Sequence, residues 1–68
     1  MSHWQVAHHV RDDAPSIFVP ETDLPGGAVG DTVTVVDPDH GARRDGRITE
    51  VVADATRGRH LTVEFTLP

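Results

Sequence analysis

Val29-Gly30-Asp31-Thr32-Val33-Thr34-Val35-Val36 decides the fold of this chain, together with Gly46-Arg47-Ile48-Thr49-Glu50-Val51 after a polar loop. A Gly-Asp turn opens a strand in which Thr and Val alternate. Successive strand side chains point to opposite faces, so Val33 and Val35 take the core side and Thr32 and Thr34 the solvent side. Residues 37–46 read as a long hairpin loop or a pair of frayed strand ends, and Gly46 as the opening of a strand at 47–52. The adjacent Val51 and Val52 break its alternation, and such a break marks a β-bulge.

Working outward, residues 4–10 alternate as well, with Trp4, Val6, His8 and Val10 on one face. Pro15 cannot donate to a ladder and places a turn or hairpin loop before a short strand at 16–19. That strand is apolar on both faces, so it is expected to lie between other elements. Residues 21–28 hold too many helix breakers for an α-helix. They read as one 3₁₀-like turn with Leu24 as an inward plug, followed by a type II turn at Pro25-Gly26. Residues 54–59 form a turn with Gly58 in the left-handed region. In the last strand Leu61, Val63, Phe65 and Leu67 face inward. Five short strands with Gly/Pro turns and no helix predict an all-β fold, a small five-stranded bent barrel spanning 1–68 as a single domain.

The pair of stretches resembles the Gly-Asp-x-Val-x-Val … Gly-x-Ile/Val strand pair of KOW-type and other SH3-like barrels, here Gly30-Asp31-Thr32-Val33-Thr34-Val35 and Gly46-Arg47-Ile48. It is also similar to the last two strands of the small OB-fold translation initiation factor. Through Ile17-Phe18-Val19-Pro20 it is similar to swapped-hairpin antitoxin-type barrels. The resemblance covers about a third of the chain and implies an SH3-like barrel first, with OB-like and swapped-hairpin barrels as alternatives. The chain lacks the lysines of the KOW family and has a slightly longer loop. What the resemblance implies is therefore the barrel rather than nucleic-acid binding.

Sixty-eight residues without cysteine leave neither a disulfide staple nor a thiolate zinc site. No apolar run is long enough to span a membrane, and the first residues do not read as a signal peptide. A cytoplasmic protein is the expectation. A formal net charge of −5 disfavours non-specific nucleic-acid binding. The charge is uneven: Arg43, Arg44, Arg47, Arg57 and Arg59 all fall in the second half, and all the basic residues are arginine.

Those five arginines form the first candidate site, a loop patch for phosphate or an acidic partner. The competing reading pairs them with Asp39, Asp45, Glu50 and Asp54 on a solvated surface, where exposed pairs contribute about 0–1 kcal/mol. Trp4 reads as a cap on one open end of the barrel or as an interface anchor. The last strand, perfectly alternating, is a candidate edge for pairing into a homodimer.

The Asp37-Pro38-Asp39-His40 loop and the His8-His9 pair offer oxygen and nitrogen ligands. Their spacing matches no zinc signature, and adjacent strand residues such as His8 and His9 point apart, so no metal ligand is assigned. His8, on the core-facing side, is expected to be buried and neutral, so that acid opposes folding. No catalytic set is legible and no cofactor is expected. The chain reads as a non-catalytic interaction module for a protein partner. An arginine-based nucleic-acid binder is the second reading and a histidine/aspartate metal-binding protein the third.

Overall fold

Alternation buries Val33 and Val35 and leaves Thr32 exposed, so the strand expected at 32–36 forms as β3 (Thr32–Val36). The computed structural model describes residues 2–11 and 13–65. Around β3 it places β1 (His3–Ala7), β2 (Ser16–Pro20), β4 (Arg43–Asp54) and β5 (Gly58–Phe65). The expectation for Leu67 lies outside the described residues.

The strands form one sheet in the order β1-β3-β4-β5-β2. Three pairs are antiparallel, whereas β1 runs parallel to β3, with Trp4 opposite Val33 and Val6 opposite Val35. The sheet is therefore mixed, and β1 and β2 each pair on one side only. It is all-β and five-stranded as expected, but it does not close into a barrel. It does curl, because Val6 of one edge strand and Val19 of the other belong to the same buried cluster as Val33, Ile48, Leu61 and Val63.

Leu24 plugs this curl. It follows a 3₁₀ turn at Glu21–Asp23 and is fully buried. The expected type II turn comes next: Gly26 has φ 85°, and the Gly27 N–H donates to the Leu24 carbonyl at 2.9 Å. Gly58, at φ 79°, sits in the left-handed region at the β4–β5 turn as its sequence context suggested.

Three expectations need correction. Gly46 does not open a strand, because β4 already begins at Arg43 and the loop shrinks to residues 37–42. Gly46 lies in the sheet interior between Val33 and Phe65, where a Cβ would stand 2.7 Å from the Glu64 carbonyl oxygen. Its lack of a side chain lets β4 and β5 approach at the curl. The bulge also falls earlier than the Val51-Val52 doublet, between Ile48 and Glu50. Thr49 is the extra residue, and the doublet lies beyond the change of phase it causes, where Val51 faces Leu61 and packs on the core. Finally, the last strand is not an edge, since β5 lies between β4 and β2.

The Gly-Asp turn does more than reverse the chain. Gly30, at φ 99°, donates to the Ile48 carbonyl, and the Ile48 N–H donates to the Asp31 carbonyl, each at 2.9 Å. This clips the turn onto β4 immediately before the bulge. The Asp31 carboxylate is buried and accepts from the Ser2 N–H (3.0 Å), the Trp4 indole (3.1 Å) and the Ala28 N–H (3.1 Å). One side chain thus fastens the start of β1 beside β3. A parallel pair has no hairpin to hold it together, so this anchoring matters more here than at the antiparallel pairs.

Candidate functional site

The residue that departs furthest from its sequence expectation is Phe18. Within β2, Ile17 and Val19 face the core, while Ser16, Phe18 and Pro20 take the other face. Among the described residues no second layer covers that face, and Phe18 is 64% exposed. The apolar character of both faces suggested a strand flanked on both sides, but β2 is an edge strand. Its neighbour β5 sets Thr62 directly opposite it and the His60 imidazole edge-on to the Phe18 ring, with centroids 6.0 Å apart.

The backbone of β2 is as informative as its side chain. Pro15 accepts from the Phe65 N–H at 3.0 Å, and β2 pairs with β5 in the register Ser16 to Glu64 and Phe18 to Thr62. Antiparallel alternation then turns the N–H and C=O of Ile17 and Val19 toward β5, and it turns those of Ser16 and Phe18 toward the open edge. Pro20, without an N–H, limits how far a further strand could pair. Beside this edge Phe18, Pro20, His60 and Arg57 border a shallow groove of about 430 Å³.

Arg57 is placed by its own turn. The Asp54 carboxylate accepts from the Thr56 N–H at 2.7 Å and the Arg57 N–H at 3.2 Å. These two bonds hold the Asp54 carboxyl below its ordinary range. Arg59 reaches the other way, its Nε 2.8 Å from Glu21, and ties β5 to the 3₁₀ turn.

The five arginines do not form one patch. Arg43 and Arg44 begin the twelve-residue β4, whereas Arg57 and Arg59 lie at and just past the turn that follows its far end. Alternation also splits the first group. Arg43 and Arg47 are exposed on the outer face, while Arg44 turns to the core face. Its guanidinium lies 4.1 Å from the Phe65 ring centroid and donates to the Arg11 carbonyl at 3.0 Å. Trp4 is half-buried, packs against the core and donates its indole N–H to Asp31.

Of the histidines, His3 bridges Thr32 Oγ1 (2.7 Å) and Thr34 Oγ1 (3.0 Å) on the outer face of β1 and β3, and Thr34 donates to Asp45 at 2.9 Å. Because the Thr34 hydroxyl proton goes to Asp45, the Thr34 oxygen accepts from His3 Nε2. His8 is not within the core. β1 ends at Ala7, and His8 sits half-buried at the rim, its Nδ1 2.9 Å from the His9 carbonyl. The expected acid switch at His8 has no buried imidazole to act on.

No helix among the described residues is long and apolar enough to cross a membrane. Comparison with protein-family models, with curated proteins and with solved structures gave no match.

Proposed function

We propose that this protein is a non-catalytic interaction module that binds an extended segment of a protein partner along the open edge of β2. The observation that carries the reading is Phe18, a large exposed aromatic on a strand whose outward N–H and C=O groups are unpaired within the sheet. A partner strand would take main-chain hydrogen bonds from Ser16 and Phe18 and pack an apolar side chain on Phe18. The exposed Arg57 favours an acidic residue at one end of that segment. In fold terms the module is proposed as SH3-like, since the stretches that carry the resemblance pair directly with each other as β3 and β4. The nucleic-acid reading draws less support, because its arginines are divided between two ends and two faces.

Peptides selected from a random library on the immobilised full chain provide the test. Selected binders should shift the amide resonances of residues 16–19 and 57–60. Phe18→Thr and Ser16→Pro should each abolish binding, while the exposed Phe18→Thr change alters stability by about 0.5 kcal/mol or less. Binders that perturb another surface, or that tolerate both substitutions, would overturn the proposal. Sedimentation of the free protein tests whether a second copy occupies the same edge. A salt-sensitive oligonucleotide complex lost on changing Arg43, Arg44 and Arg47 to Ala would instead favour nucleic acid.

A further inference from the structure

The parallel pairing of β1 with β3 has a consequence at the end of the sheet away from Arg57. The His8 N–H donates to the Val36 carbonyl at 3.1 Å, so the chain leaving β1 continues beside the chain leaving β3. Residues distant in sequence are thereby brought together. His9 Nδ1 lies 3.3 Å from Asp39 Oδ2 and 4.0 Å from Asp37 Oδ1. One ligand atom from each of these three residues falls within 4.8 Å of the others.

Two features make this arrangement more than a surface ion pair. Asp37 is held rigidly: it is buried, its N–H donates to the Ala42 carbonyl at 2.9 Å, and its carbonyl accepts from the Gly41 N–H at 2.8 Å. Its Oδ1 accepts from the Asp39 N–H at 2.8 Å and the His40 N–H at 3.3 Å, which fixes the loop that carries Asp39. The donor set is also mixed. One imidazole nitrogen with two carboxylate oxygens is a ligand combination that divalent transition ions take, with water in the remaining positions. Ligand atoms around a tetrahedral zinc ion stand about 3.3–3.5 Å apart, and the His9–Asp39 separation matches. The exposed His9 ring can turn to shorten its distance to Asp37.

We propose that His9, Asp37 and Asp39 form a binding site for a divalent transition-metal ion of the zinc class, with solvent completing the coordination. The site joins the end of β1 to the β3–β4 loop, so an ion there would brace the parallel edge of the sheet. It lies apart from Phe18 and stands or falls independently of partner binding at β2.

Titration of the full chain with zinc chloride in a non-chelating buffer at neutral pH tests this, read by calorimetry and by the amide resonances of residues 8–10, Asp37 and 39–41. The expected result is one ion per chain, with a melting temperature that rises with zinc and returns on adding chelator. His9→Ala and Asp39→Asn should each weaken binding by at least about tenfold. Both side chains are exposed, so the metal-free melting temperature should stay near that of the wild type. His3→Ala and His60→Ala should leave the affinity unchanged. Absence of saturable binding, or equal affinity in the His9→Ala protein, would overturn the site. Its three residues would then form only an ion pair.

Discussion

Asp31 shows how much one residue of the deciding stretch contributes. Its carboxylate is held below the ordinary value of 3.8, first by the Ser2 N–H, then by the Trp4 indole and the Ala28 N–H, with burial opposing them. Asp37 is lowered as well, chiefly by the Asp39 N–H, as is Asp54. A lowered folded-state value means that the unfolded chain binds protons more readily. The stabilisation is therefore complete above the unfolded value of about 3.9 and is lost as pH falls through the lower folded values. The part of the stability that these three carboxylates supply should be constant above about pH 5 and fall below about pH 4. Asp31→Asn keeps the size but replaces one acceptor oxygen with a donor. It should melt below the wild type at pH 7, and the gap should close as acid protonates Asp31 in the wild type. Parallel curves at all pH values would show that the carboxylate charge plays no part. The sequence marked Gly-Asp as a turn but held no sign of this carboxylate's partners. Ala28 lies within the turn itself, but Ser2 and Trp4 are brought near only by the parallel pairing of β1.

At the scale of elements, what could be read was what depends on neighbours in the chain. Alternation placed Val33, Val35, Leu61, Val63 and Phe65 on the core face, and turn chemistry placed Leu24, Gly26 and Gly58. Phe18 and Gly46 were misread for one shared reason. Their surroundings are set by which strands lie beside them, and the order β1-β3-β4-β5-β2 comes from long-range pairing that local pattern does not encode. The contrast gives a prediction. Leu24→Ala removes the plug and leaves a cavity beneath the 3₁₀ turn, a loss of about 2–5 kcal/mol. Gly46→Ala adds a single methyl, yet it meets the Glu64 carbonyl oxygen and a Val63 methyl, both under 3.0 Å away. Overpacking of this kind costs about 1–3 kcal/mol. A glycine opening a loop would instead tolerate alanine with little loss. Urea unfolding of the two variants beside the wild type checks both values, and a neutral Gly46→Ala would contradict the close approach of β4 and β5.

For the whole molecule, the sheet's order assigns its most and least secure parts. A chain of this length exposes much of its surface and has little stability to distribute. β4 and β5 share the longest ladder, and each has a further strand on its other side. β1 and β2 each rest on a single neighbour, and β2 carries Phe18 outside the core. Local opening follows such differences, because a segment held on one side detaches without disrupting the central ladder. Native-state hydrogen exchange should therefore find its slowest β5 amides at Thr62 and Glu64, which point to β4 rather than to the edge strand, near the global unfolding limit. The β2 amides facing β5, Ile17 and Val19, should exchange faster, and Ser16 and Phe18, directed at the open edge, fastest. A peptide bound at that edge should slow Ser16 and Phe18 most. Zinc at His9, Asp37 and Asp39 should instead slow the end of β1 and the 37–42 loop and leave β2 unchanged. Equal protection across all five strands would mean that the sheet opens only as a unit, and the edge would then have no separate freedom with which to receive a partner strand.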